Sequence, residues 1–349
     1  MTAQTTAQTE VAYHARQHGR WHWSEIAFWL ILLACGFIFP SRYLIMTEVV
    51  RLGLFALSLD LILGYAGIVS LGHAAFFGVG AYAAGLLSAH GIITEPILAL
   101  ITAGLAATLL GFATSFLVIR GVDLTRLMVT LGIALLLEAL AERFSDITGG
   151  TDGLQGIDMK PLLGLFEFDM FGKTGFFYSL AVLFLLFLLA RRIVYSPFGL
   201  SLRAIKNNPL RAAAIGIPVN RRLIAIYTVA AFYAGIAGAL FTQTTQIASL
   251  DVFAFDRSAD LMLMVVIGGA GYLYGGLLGA AIFKLLQVGF STITPQYWGF
   301  WIGLVLVVIV LVGRQRIHAA ALFLPNLILK QIGGRKAIVT VSDSEAPGT

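Results

Sequence analysis

Ten predominantly apolar stretches follow one another along this chain, at 24–40, 48–66, 73–90, 97–118, 124–142, 174–190, 223–243, 259–274, 276–291 and 298–313. A bilayer core asks for about 20 such residues in a helix, with shorter runs accommodated when flanking side chains snorkel. Only 12% of the 349 residues are charged and 58% are hydrophobic, whereas a soluble domain carries roughly 25% charged residues. Nothing in the chain could cover so much apolar surface from water, so lipid must be the solvent for most of it. The expected fold is an all-α polytopic membrane protein of about ten transmembrane helices. Residues 1–23 read as a polar tail expected to be disordered, residues 24–313 as one transmembrane domain and residues 314–349 as a second tail. The eighth and ninth spans are short, and glycines from Gly268 to Gly279 crowd their junction. The run at 24–40 is a retained span rather than a cleaved leader, because Trp21 and Trp23 suit an interface and no small-x-small site follows.

Charge placement sets the orientation. With an even number of spans both termini share one side, and most of the 23 lysines and arginines fall there: around Arg120 and Arg126, between Arg191 and Arg222, and beyond Arg314. That side is expected to be cytoplasmic. The chain has one cysteine, Cys35, which excludes an intrachain disulfide or a cysteine metal site and reads as a small hydrophobe in an apolar helix.

Two loops are long. Residues 143–173 are acidic and expected outside; residues 191–222 carry seven basic residues, no acidic one, and are expected inside. Positive-inside anchoring accounts for Arg191, Arg192, Arg221 and Arg222 but not for what lies between. There Leu200, Leu202, Ala204 and Ile205 alternate with Arg203 and Lys206 in a short amphipathic helix. Asn208 suits an N-cap with Pro209 at the first helical position. Arg211, Ala212 and Ala213 continue a second helix that Gly216 can end. Such a knuckle either lies on the lipid surface or docks on a soluble partner, and physics alone does not choose.

Residues 63–85 are rich in glycine. Small residues let helices approach in lipid, which explains Gly78, Gly80 and Gly85. Gly64, Gly67, Ser70, Gly72 and His73 instead form a polar break between two spans, where backbone amides could line a substrate path. Gly64-Tyr65-Ala66-Gly67 followed by Ser70-Leu71-Gly72-His73-Ala74-Ala75-Phe76 closely resembles the signature of branched-chain amino acid importer permeases of the LivM type. Val129–Gly132, Thr148–Leu154 and Met264–Gly271 agree in the same order. The resemblance implies the membrane subunit of an ATP-binding-cassette importer in a bacterial inner membrane. It implies a second permease subunit, two ATPase subunits that bind the ATP and magnesium, and a periplasmic binding protein. It also identifies Arg203, Asn208, Pro209, Arg211, Ala212, Ala213 and Gly216 with the loop that contacts the ATPase, although Leu210 and Arg211 stand where relatives often have an acidic residue.

Ionised residues deep in a span cost roughly 2.5–3.5 kcal/mol each. Asp60 and Lys284 are two such residues; the expectation is that they pair across the bundle, the alternative being that each faces a wet pathway separately. Gly172-Lys173-Thr174 imitates the end of a phosphate loop, but Glu167 stands where its first glycine should. Nothing in the sequence supports catalysis or a cofactor in this chain. The expected cargo is a branched-chain or similar small amino acid. Urea or short amides are the alternative within the family, and an ion-coupled secondary transporter is the alternative outside it.

Overall fold

The computed structural model describes residues 23–169 and 171–312; the two expected tails, Trp23 apart, lie outside the described residues. Each of the ten apolar stretches is helical over most of its described residues. The first five are α1 (Trp23–Ile38), α2 (Tyr43–Ala66), α3 (Ala74–Ala89), α4 (Pro96–Arg120) and α5 (Asp123–Arg143). A one-turn α6 (Ser145–Thr148) precedes α7 (Lys173–Val194), and the basic loop then contributes α8 (Pro197–Asn207) and α9 (Pro209–Ala214). The chain continues through α10 (Val219–Thr245), α11 (Phe255–Gly268), α12 (Leu273–Ile293) and α13 (Trp298–Val312). Among the described residues the only extended pairings are two isolated bridges, Leu154 with Ala248 and Leu162 with Phe166.

Six of the described helices are long and apolar enough to cross a bilayer, and α1, α3 and part of α13 are shorter apolar helices. On α4, Leu105, Leu109, Phe112 and Phe116 stand exposed along the helix, an apolar face that water would not tolerate. The molecule is a multi-pass membrane protein.

Two helices form the interior. The most apolar window of α2 is 83% buried and that of α10 is 72% buried, against 17% for α5. Helix α10 packs chiefly on α4, α3 and α2. Close approach explains the small residues there: a Cβ on Gly80 would overlap the Gly235 carbonyl, and one on Gly238 would overlap the Phe77 carbonyl.

The fold divides into two compact units, one ending at Leu286 and the other starting at Gln287. In the second, Phe290 stacks on Trp301 at 6.2 Å. In the first, the Thr148–Leu154 motif forms a tight turn with positive φ at Gly149, Gly150 and Gly153, which the Leu154 amide ties to the Ala248 carbonyl at 2.7 Å.

Candidate functional site at two glycine turns and a double-helix loop

The first break follows α2. Gly67 takes φ 72° and its amide donates to the Ile62 carbonyl, the six-to-one bond of a left-handed helix terminus, and the Ile68 amide donates to the same carbonyl at 3.0 Å. The segment from Ile68 to His73 is then held by side chains from elsewhere. Thr130 Oγ1 accepts from the Leu71 amide at 3.2 Å, and Ser258 Oγ accepts from the Ala74 amide at 3.0 Å. Gly72 lies so close to α5 that a Cβ would overlap the Thr130 carbonyl oxygen. Ser70 is buried, and its hydroxyl has no partner among the described residues.

His73 is fully buried. Its Nε2 lies 2.9 Å from Ser58 Oγ, which itself donates to the Phe55 carbonyl at 2.5 Å. The hydroxyl proton is thus committed, so His73 Nε2 is the donor of that pair. The ring stacks on Phe55 at 5.8 Å and meets the edge of Phe76 at 5.5 Å. His73 therefore ties α3 to α2, and its environment is aromatic packing.

The second break, 269–272, joins α11 to α12, with Gly269 at φ 96° and Gly271 at φ 90°. The two helices leave it almost in contact: Cβ atoms on Gly268 or Gly279 would overlap the carbonyls of Gly275 and Met264 respectively. Asp60, fully buried in α2, fixes the turn, because its Oδ1 accepts from the Gly271 amide at 2.7 Å. Gly64 sits against that bond, and a Cβ there would overlap both Asp60 Oδ1 and the Gly271 nitrogen.

The double-helix loop reaches the same place. Ser196 caps α8, and Asn208 caps α9 by accepting from the Arg211 amide at 3.0 Å. Pro197 and Pro209 stand at the first helical positions, and Gly216 follows α9 at φ 88°. Ala212 is buried, whereas Leu210 is 83% exposed and Ile215 76% exposed. From α8, Lys206 Nζ donates to the Gly64 carbonyl at 2.6 Å, and the Arg203 guanidinium lies 5.4 Å above the Tyr65 ring. A helix leaves its last carbonyls unpaired and partly negative, which is why a cation seats there. Gly64, Tyr65, Tyr195, Arg203, Lys206 and the turn border a cavity of about 710 Å³; Gly67, Ser70, Gly72 and His73 do not.

The expected Asp60–Lys284 pair is corrected. Lys284 Nζ meets Glu48 Oε1 at 2.6 Å. Asp60 lies twelve residues further along α2, about 18 Å at 1.5 Å per residue. Helices α2 and α12 run antiparallel, Asp60 facing Gly271 while Glu48 faces Lys284, and that register forbids the pair. A second correction concerns Arg191: plain anchoring does not describe it, because it is buried, ion-paired with Glu25 and 5.6 Å from the Tyr195 ring.

The family described as the permease component of the branched-chain amino acid transport system matches residues 42–310, which include both breaks and the loop. The chain belongs to that family. It is 29% identical over 251 residues to the high-affinity branched-chain amino acid transport system permease protein LivM of Escherichia coli K12, covering 65% of this chain and 58% of that protein. It is 26% identical over 263 residues to the probable branched-chain amino acid transport permease protein LivM of Methanocaldococcus jannaschii, covering 67% and 76%. The ribose import permease protein RbsC of Bacillus subtilis is 29% identical over 174 residues, covering 46% and 54%. The chain thus spans under two thirds of the length of the E. coli relative. No solved structure matches it.

Sequence reasoning missed two polar groups of this permease. One is Glu48, the partner of Lys284. The other is Arg51, buried in α2, whose Nη1 donates to Thr244 Oγ1 at 2.7 Å and whose guanidinium lies 5.0 Å from the Phe241 ring. Its position inside the apolar stretch at 48–66 is the signal the sequence offers for it.

Proposed function

We propose that this permease is the translocating subunit of an ATP-binding-cassette importer for branched-chain or similar small amino acids in a bacterial inner membrane. The observation that carries the reading is the joint at Gly64, where α8 is bonded to the end of α2 beside the Asp60–Gly271 contact. An importer whose ATPase is a separate subunit needs a surface loop that takes up a partner's movement and hands it to the membrane helices. The 191–222 loop has that form: capped, proline-started, presenting exposed Leu210 and Ile215 outward and cations inward. In this reading the loop and both termini are cytoplasmic, Arg203, Asn208, Pro209, Arg211, Ala212, Ala213 and Gly216 shape the ATPase contact, and ATP and magnesium bind to that partner. A second, homologous permease subunit would complete the pathway, and a periplasmic binding protein would deliver the cargo.

The test is uptake of radiolabelled leucine into vesicles carrying the complete system, with urea, acetamide and ribose in parallel. Ribose belongs in the panel because of the likeness to the ribose permease. Leucine uptake that stops on ATP depletion and survives an uncoupler is expected. Uptake that survives ATP depletion and collapses with the uncoupler would show a secondary transporter instead. Arg211→Cys in a Cys35→Ser background should be labelled by a thiol reagent from the cytoplasmic side alone.

A further inference from the structure

The cavity beside the Gly64 joint has a charge that its own walls do not cancel. Four segments end around it at one face of the bundle: the start of α1 with Glu25, the end of α2 with Tyr65, the α7–α8 junction with Tyr195, Arg203 and Lys206, and residues 270–274. Among the described residues Glu25 is the one acidic group lining it, and it is already ion-paired with Arg191. Arg203 is half-buried, its guanidinium 5.4 Å from the Tyr65 ring and 6.0 Å from the Tyr195 ring. Stacking of this kind uses the faces of the guanidinium and leaves the edge N–H groups to donate elsewhere, and no acceptor is seen for them among the described residues. Lys206 commits one of its three donors to Gly64. Among the described lining residues the formal charge is therefore net positive, with donors to spare on Arg203 and Lys206, and the cavity's size, about 710 Å³, falls in the usual range for small-molecule sites.

We infer that this cavity binds a phosphate group, with Arg203 as its principal contact and Lys206 as the second. The chemistry follows from the donors. A planar fork matches a tetrahedral oxyanion through two parallel bonds, and an adjacent ammonium adds a point charge. Phosphate can come from an acidic phospholipid headgroup or from solution. The surroundings favour the headgroup, since Trp23 and Tyr272 stand exposed at this end of the bundle as interfacial aromatics do, and basic pockets between transmembrane helices suit such headgroups. A phosphate held here would touch α8, the end of α2 and the second glycine turn at once. The inference does not need the import reading, because it stands on the cavity and its donors.

The experiment uses the full chain purified in a mild detergent with whatever partner subunits accompany it. Native mass spectrometry compares retention of phosphatidylglycerol and of diacylglycerol, which lacks the phosphate, of matched acyl chains, in the wild type and in Arg203→Gln. The wild type should retain phosphatidylglycerol preferentially, and Arg203→Gln should weaken that retention roughly tenfold, the scale of one lost charge-assisted contact. A separate arm titrates inorganic phosphate against chloride at equal ionic strength and follows thermal unfolding. Stabilisation by phosphate that Arg203→Gln abolishes, with the two lipids retained alike, assigns the same site to a soluble anion. Equal retention of the two lipids by the wild type, together with no phosphate effect, overturns the inference, and that result does not depend on the variant folding.

Discussion

The antiparallel register of α2 and α12 can be tested by a pair of double-mutant cycles. Lys284 is 12% exposed and Glu48 36% exposed in their ion pair. Exposed pairs contribute about 0.2–1 kcal/mol, and removing one partner of a fully buried pair costs about 3–5 kcal/mol. The Glu48–Lys284 pair lies between these limits, so Lys284→Met or Glu48→Gln alone should destabilise by about 2 kcal/mol. Together they should cost less than the sum of the two, with a coupling of about 1–2 kcal/mol. Asp60→Asn keeps an oxygen that can accept from the Gly271 amide, and position 60 lies about 18 Å along α2 from Glu48. The Asp60–Lys284 cycle should therefore be additive to within about 0.5 kcal/mol. Unfolding free energies from titration of mixed micelles with a denaturing detergent, followed by tryptophan fluorescence, give both cycles. A coupling below about 0.5 kcal/mol for the first, or above about 1 kcal/mol for the second, would refute the register.

Two further predictions concern the first break and the double-helix loop. Gly72→Ala should lower stability by about 2–3 kcal/mol, because its Cβ would meet the Thr130 carbonyl, a backbone atom that cannot swing aside; Gly132→Ala, with nothing within 4 Å of the new methyl, is the matched control, and equal thermal shifts for the two would contradict the close contact. Asn208→Ala removes the cap that accepts from Arg211 and should weaken α9 by about 1 kcal/mol; hydrogen exchange at 209–216 should quicken roughly fivefold while α3 and α10 keep their protection, and unchanged exchange there would show that the cap is idle.

What the sequence made legible is local. A long apolar run in lipid has little choice but helix, so every stretch read as a span is mostly helical over its described residues. The Asn208–Pro209 start and the Gly216 end of the second loop helix were readable because caps act within a few residues. The helix starts misplaced towards the interior share one cause. The second span, expected from 48, belongs to a helix that begins at Tyr43, and polar Thr47, Glu48 and Arg51 stand near its start. Inside the bundle Thr47 donates to the Tyr43 carbonyl at 2.7 Å, Glu48 holds Lys284 and Arg51 holds Thr244, so their polarity is satisfied without water. The eighth span, expected from 259, likewise belongs to a helix that begins earlier, at Phe255, and Arg257 near its start is bonded to Asp251 at 2.5 Å. Sequence carries the period of a helix but not its register against another helix, and that is why Lys284 was matched to the wrong acid.

The register also explains why so much converges on Gly64. Asp60 can reach the Gly271 amide only if the second glycine turn lies against the last two turns of α2, and that requires residue 64, one turn beyond Asp60, to carry no side chain. Its carbonyl is then one of the last in α2, without a partner in its own helix, and Lys206 supplies one. Residue 64 thereby joins three segments far apart in sequence through one backbone unit: bare on the side of the turn, bonded on the side of α8. Any shift of α8 along its own axis must either stretch the Lys206 bond or drag the end of α2. Dragging the end of α2 moves Asp60 and with it the turn between α11 and α12. A loop that could move without this consequence would need a carbonyl already satisfied by its own helix, and a helix end is the place where none exists.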